Sequence, residues 1–128
     1  MTLTERDLSR LAGVNSDLVR VIRRAAAITT MPFMVQEGLR TLERQKKLVE
    51  QGASKTLDSR HLTGHAVDIL PLDEKSLPSW HWPLYHRLAV IVKRAAQDEG
   101  VPVEWGGDWK RFKDGPHWQL PKNLYPKE

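Results

Sequence analysis

Ser59-Arg60-His61-Leu62-Thr63-Gly64-His65-Ala66-Val67-Asp68 is the stretch on which the reading of this chain turns. Its first part is polar and ends at a glycine. From His65 it becomes β-branched and apolar and runs through Ile69 and Leu70 to Pro71, so it reads as a loop feeding a strand. Successive side chains of a strand point to opposite faces, which puts Asp68 with Ala66 and His65 with Val67. If Asp68 points into a site, His65 points away from it. His61 lies in the loop just before, and Gly64 gives the backbone the freedom to fold it back toward Asp68. Ala66, small and on the Asp68 face, leaves space for a metal and a substrate.

A second motif, Asp114-Gly115-Pro116-His117-Trp118, lies some fifty residues downstream. His117 stands at the start of another short strand, positioned by Pro116, with Asp114 in the turn before it. The two motifs together offer two imidazoles and one carboxylate, with a second carboxylate to spare. That is the donor set of a catalytic zinc site: three protein ligands, an open position for water and a base nearby. Taken singly, each residue has an ordinary reading. His61 is a loop histidine, Asp68 braces a turn, and Asp114-Gly115 is a turn former. His81 and His86 have no carboxylate at useful spacing and are read as ordinary. Trp105, Trp109 and Trp118 crowd the second motif, where they read as core and site wall.

Outward from these motifs the chain alternates helix and strand. Thr4 with Asp7 forms a capping box that opens a short helix. Asn15 or Ser16 caps a second, with Leu18, Val21, Ile22, Ala25 and Ile28 along one side and Arg20, Arg23 and Arg24 largely off it. Pro32 marks its end, and Phe33-Met34-Val35 reads as a strand leading to Glu37-Gly38. Thr41 opens a third helix that stops at Gly52. Residues 53–64 and 71–81 read as loops. A fourth helix starts near Pro83, carries Tyr85, Leu88, Ala89, Val92 and Ala96, and closes at Gly100. Val103 to Trp105 and His117 to Leu120 complete the strands. The fold class is α+β, with helices packed on a small, mainly antiparallel sheet.

The totals are consistent with one folded domain over residues 1–128: 40% hydrophobic and 28% charged residues exclude a disordered chain. No cysteine is present, which excludes disulfides, thiolate zinc sites and a cysteine nucleophile. The net charge of +4 suits a polyanionic partner such as nucleic acid, cell envelope or anionic lipid, although the basic clusters Arg20/Arg23/Arg24, Lys93-Arg94 and Lys110-Arg111-Lys113 read first as solvated faces. No apolar run approaches the roughly 20 residues that span a bilayer. The polar start Met1-Thr2-Leu3-Thr4-Glu5-Arg6 lacks a signal-peptide core, which predicts synthesis in the cytoplasm without an export signal.

The combined motifs resemble the VanY-like M15 zinc peptidases, a superfamily of D-Ala-D-Ala carboxypeptidases and L-alanyl-D-glutamate peptidases with a hedgehog/D,D-peptidase-like fold. Within it the chain is most similar to single-domain bacteriophage endolysins. The pattern Ser-x-His-x-x-Gly-x-Ala-x-Asp is matched at Ser59, His61, Gly64, Ala66 and Asp68. The phage-type Trp-Gly-Gly-Asp-Trp is matched at Trp105 to Trp109 and runs into Phe112-Lys113-Asp114-x-Pro116-His117-Trp118. Glu37-Gly38-x-Arg40 with Gln45 fits a further family segment. The likeness covers about residues 33 to 120.

Residue by residue, the resemblance implies His61, Asp68 and His117 as ligands of one zinc ion per chain, and Asp114 as general base. It implies Arg40 on a substrate carboxylate or the tetrahedral intermediate, and Ser59 hydrogen-bonding substrate. At Gln119 the chain departs from relatives that carry a carboxylate two residues after the last histidine; an amide there still hydrogen-bonds a ligand or a strand neighbour. The implied activity is zinc-dependent cleavage of the L-Ala–D-Glu bond of peptidoglycan stem peptides by a phage or prophage lysin. Such a protein is expected to be a monomer with no nucleic-acid partner, made in the host cytoplasm and released to the wall through a holin. The competing readings are a D,D-carboxypeptidase or dipeptidase of the same superfamily, and a basic nucleic-acid-binding module with an incidental zinc.

Overall fold

The computed structural model describes residues 1–127. Helix α1 (Glu5–Leu11) begins at the anticipated capping box: Thr4 accepts from the Asp7 backbone and Asp7 accepts from the Thr4 backbone. The buried Asp7 carboxylate also accepts from Val35 N at 2.9 Å, which ties this short helix to strand β1 (Phe33–Glu37). Helix α2 (Ser16–Ile28) is capped by Asn15, whose side chain accepts from Asp17 N. It ends at Thr29, ahead of Pro32, and Ile28 is only half-buried. Helix α3 (Leu42–Glu50) is capped by Thr41, and the chain turns out of it at Gly52, with φ +76°.

The loop after α3 closes on a 3₁₀ turn, Arg60–Thr63, where a plain loop is expected from sequence. Ser59 caps that turn and accepts from His61 N. Strand β2 (Ala66–Pro71) follows, then helix α4 (Trp82–Glu99), strand β3 (Glu104–Trp105), a second 3₁₀ turn (Gly106–Asp108) and strand β4 (His117–Gln119).

The sheet has the order β1-β2-β4-β3 and every pairing is antiparallel. One face carries Phe33, Val35, Val67, Ile69, Trp105 and Trp118, all buried in a single core with Leu18, Val21 and Ile22 of α2 and Leu88 and Val92 of α4. Burial of each such aliphatic side chain contributes roughly 1.5–3 kcal/mol relative to leaving it exposed. Helices α2 and α4 also meet at the surface, where Arg20 pairs with Glu99, and Asp98 takes both Arg24 and Arg94. These exposed pairs are each worth about 0–1 kcal/mol. Two members of the Arg20/Arg23/Arg24 cluster therefore serve helix pairing.

The other face of the sheet forms the site. Residues directly opposite in an antiparallel pair share a face. Glu37 stands opposite Asp68, and Asp68 opposite His117, in one row across three strands. Glu37 reaches its place through a register shift after Val35 at the end of β1. The next row holds Ala66, Gln119 and Glu104.

Candidate active site

His61, Asp68 and His117 offer ligand atoms that all lie within 4.8 Å of one another. His61 Nε2 is 3.2 Å and His117 Nδ1 3.3 Å from the same oxygen, Asp68 Oδ1. The two imidazole rings meet edge to face with centroids 5.0 Å apart. Both histidines are buried, and Asp68 is only slightly exposed.

The nitrogen each histidine turns away from this group is held by a partner. His61 Nδ1 lies 2.8 Å from the carbonyl oxygen of Gly38, so that nitrogen carries the proton and Nε2 keeps its lone pair. His117 Nε2 lies 2.8 Å from Gln119 Oε1, which leaves Nδ1 for the shared site. Two imidazoles presented this way, with one carboxylate, make an oxygen- and nitrogen-donor set that suits zinc and leaves a coordination place open. The residues present therefore fit the metal that the sequence motifs imply.

Burial by itself would raise the Asp68 carboxyl. The charges and hydrogen bonds of His61 and His117 outweigh it and hold Asp68 well below the usual carboxylate range. His117 shows the converse balance. Burial favours its neutral form, but the hydrogen bond and charge of Asp68, the Gln119 bond and the charge of Asp114 raise its affinity for a proton. In the metal-free site Asp68 and His117 stabilise each other's charged forms, so a metal has to displace the His117 proton to bind.

An open cavity of about 880 Å³ lies over this group. Asp114 lines it beside His61, Asp68 and His117, and among the described residues no side chain hydrogen-bonds its carboxylate. Desolvation, then repulsion from Asp68, raises its pKa above the ordinary value. Gly106 makes this placement possible: the Asp114 backbone N donates to Gly106 O at 3.0 Å, and a Cβ on Gly106 would strike the Asp114 carbonyl.

Arg40 and Ser59 line the same cavity. The Arg40 guanidinium is largely engaged: Nε and Nη2 donate to Glu37 Oε1, Nη1 donates to Gln45 Oε1 at 2.8 Å, and Nη2 comes within 3.6 Å of Asp68 Oδ2. Gln45 is fully buried and also donates to Ser54 Oγ and the Thr56 carbonyl, so it joins α3, the following loop and Arg40. Of the three tryptophans read as core and site wall, Trp109 lines the cavity with its ring 5.1 Å from that of His117. Trp105 and Trp118 do not. They stack on each other inside the core, because strand alternation turns them to the face opposite His117.

His65 falls outside the cluster. Its Nδ1 lies 2.7 Å from Thr63 Oγ1 and its ring faces Tyr125. His86 packs edge-on against Trp105, and His81 precedes α4 without a side-chain cap bond. Glu37, the Gly38 carbonyl and Glu104 all touch residues of the site, yet none was assigned a role from sequence. The register that aligns them is a long-range property, with no local signal to reveal it.

A buried group of two imidazoles and one carboxylate that could hold a metal ion, open to a large cavity and accompanied by a desolvated second carboxylate, matches the donor set of metallohydrolases. The model of one such family, the phage L-alanyl-D-glutamate peptidases, matches residues 1–119, and the chain belongs to that family. The crystal structure of the Serratia marcescens L-Ala D-Glu endopeptidase ChiX superposes with a TM-score of 0.90 at 51% identity, covering 98% of this chain and 94% of that one. The L-alanyl-D-glutamate peptidase of Listeria phage A118 is 38% identical over 87 residues, which are 68% of this chain and 30% of the phage protein. The chain thus spans less than a third of that relative's length. The Bacillus subtilis peptidoglycan L-alanyl-D-glutamate endopeptidase CwlK is 30% identical over 137 aligned positions, covering 91% of this chain and 75% of CwlK. Among the described residues no helix is long and apolar enough to cross a membrane.

Proposed function

We propose that this protein is a zinc-dependent peptidoglycan endopeptidase that hydrolyses the L-Ala–D-Glu bond of the stem peptide and acts as a lysin on the bacterial wall. The observation that carries the reading is the meeting of His61, Asp68 and His117 beneath one open cavity that Asp114 also lines. The L-alanyl-D-glutamate peptidases to which the chain is similar support the choice of bond.

His61 Nε2, Asp68 Oδ1 and His117 Nδ1 would hold one zinc ion per chain. Bound there, zinc supplies a Lewis acid and an acidified water at neutral pH. Asp114 is the base. Its carboxylate is desolvated and free of side-chain partners, so it takes a proton from the attacking water and returns it to the leaving amine of D-Glu.

Arg40 brings a fixed positive charge to the cavity. Its bonds to Glu37 and Gln45 leave one N–H on each of Nη1 and Nη2 for a substrate carboxylate or the tetrahedral intermediate. Ser59 has its backbone-capping bond to His61 N and keeps a hydroxyl proton to donate to substrate. Arg111 and Lys113 add positive charge to the cavity lining, complementary to an anionic stem peptide.

Mass spectrometry of purified peptidoglycan after digestion tests this reading. The expected product is a new N-terminus on D-Glu with L-Ala left on the muramic acid. Release of terminal D-Ala alone would establish a D,D-carboxypeptidase instead.

A further inference from the structure

Glu104 is exposed and is not among the residues lining the cavity, yet it reaches the metal-binding group through one intermediary. In the β3–β4 register it stands opposite Gln119, on the same face of the sheet as His117. Gln119 Nε2 donates to Glu104 Oε1 at 3.0 Å, and Gln119 Oε1 lies 2.8 Å from His117 Nε2. We propose that Glu104 is a positioning residue: by fixing the orientation of the Gln119 amide, it selects the tautomer of His117 that leaves Nδ1 free for the metal.

The argument turns on the two ends of a carboxamide. Rotating it by half a turn exchanges a pure acceptor for a pure donor with little change in shape. With its oxygen toward His117, Gln119 accepts the Nε2 proton and Nδ1 keeps its lone pair. With its NH₂ toward His117, Gln119 donates to Nε2 and the ring proton must sit on Nδ1, the atom that faces Asp68. Asp68 favours that second arrangement, because its Oδ1 lies 3.3 Å from Nδ1 and accepts a proton there. Gln119 alone offers no preference between its two ends.

Glu104 supplies the preference. A carboxylate only accepts, so it pairs with the NH₂ end of Gln119 and turns the oxygen to His117. The bond is charge-assisted and therefore stronger than one between neutral groups. The pairing is built into the sheet, since Glu104 and Gln119 are cross-strand partners and Gln119 and His117 are two residues apart on one strand face. Partners that orient a metal-binding histidine typically change metal affinity by about 10–100-fold when removed.

The proposal rests on His117 being a metal ligand, and its test separates the two claims. Metal-stripped wild-type, Glu104→Leu and Glu104→Gln proteins are titrated with zinc against a chelator of known affinity. The His117 tautomer is read by ¹⁵N NMR of the metal-free proteins at a pH where the ring is neutral. Glu104→Leu should weaken zinc binding about tenfold or more and move His117 toward the Nδ1–H form, with the thermal unfolding of the metal-free protein unchanged. Glu104→Gln should recover only part of the affinity, since its carboxamide can turn either end to Gln119 and no longer fixes that amide. Wild-type zinc affinity or an unaltered tautomer in Glu104→Leu overturns the proposal. So does an equal loss in both variants accompanied by a loss of metal-free stability. Full zinc stoichiometry in a His117→Ala protein would sink the ligand assignment itself; loss of zinc there, with Glu104 variants that bind normally, would leave that assignment standing and refute only the role of Glu104.

Discussion

The two histidines of the site do one job from opposite kinds of structure. His61 comes from a 3₁₀ turn in a loop and is oriented by a main-chain carbonyl, that of Gly38. His117 comes from a strand and is oriented by a side chain, Gln119. A carbonyl is present whatever residue bears it, so on the His61 side what matters is where the backbone runs. Gly38 governs that path, because a Cβ there would collide with the Arg10 carbonyl of α1 and crowd Val14. On the His117 side the backbone path is ordinary strand and the identity of one amide matters. One flank is protected by packing and the other by chemistry, and each should fail differently.

The largest effect comes from removing either ligand, where the flanks should behave alike. His61→Ala and His117→Ala are each expected to lose stoichiometric zinc and with it activity on purified cell wall, as measured by metal analysis and turbidity loss. A zinc content of one per chain in either variant would break the symmetry and remove that residue from the ligand set.

Next comes Asp114, which belongs to neither flank. Asp114→Asn should retain zinc and fold yet lose about 10²–10⁴-fold in kcat, since an amide cannot take the proton from water. Near wild-type turnover would assign the base to another group.

The flanks should part company in a third pair of variants. Gln119→Leu keeps a strand-forming, buried side chain but removes the acceptor from His117. It should weaken zinc about 10–100-fold while the metal-free protein unfolds at nearly the wild-type temperature. Gly38→Ala should lower the unfolding temperature of the metal-free protein first, and zinc affinity as a consequence, because α1 and the end of β1 must move apart to admit the methyl group. Weakened zinc binding in Gly38→Ala with unchanged stability would show that the carbonyl had moved without any packing cost. The distinction between the flanks would then be lost.

The same contrast explains what the amino-acid sequence discloses. The candidate cluster and the carboxylate beside it are legible because their spacing is local: Ala66 and Asp68 alternate with Val67 along one strand, and Asp114 and His117 flank a single turn. Strand parity alone sets His65 aside. The helices are legible from their apolar stripes and from caps at Thr4, Asn15 and Thr41. What holds the ligands is much less visible. Glu37 meets Asp68 through a register shift, Glu104 meets Gln119 across strands, and Gln45 is buried under a loop that closes back on it. Each depends on partners brought together by the fold: the segment Glu37-Gly38-x-Arg40 with Gln45 marks residues of interest but not what they meet, and nothing near Glu104 in sequence points to Gln119. Trp105 and Trp118 illustrate the opposite hazard: they are next to the motif in sequence but face the core in space.

The smallest effect is expected at His65, close in sequence to Asp68 but outside the cluster. His65→Gln should keep its zinc and most of its activity. It should, however, change how stability responds to acid. Partial burial, followed by the nearby charge of Arg60, lowers the pKa of His65 below its ordinary value of 6.5. The unfolded chain then binds this proton more readily than the folded one, so the stability tied to neutral His65 is complete above about pH 6.5 and is lost as the pH falls through the lowered folded value. Glutamine has no such proton to bind. The difference in unfolding temperature between the zinc-loaded wild-type and His65→Gln proteins should therefore shift against the wild type on acidification below about pH 6.5, by a small amount because the ring is only partly buried. Parallel pH curves for the two proteins would refute the assigned shift. Loss of zinc on this change, with the fold intact by circular dichroism, would place His65 in the ligand set and overturn the parity argument from which the site was first read.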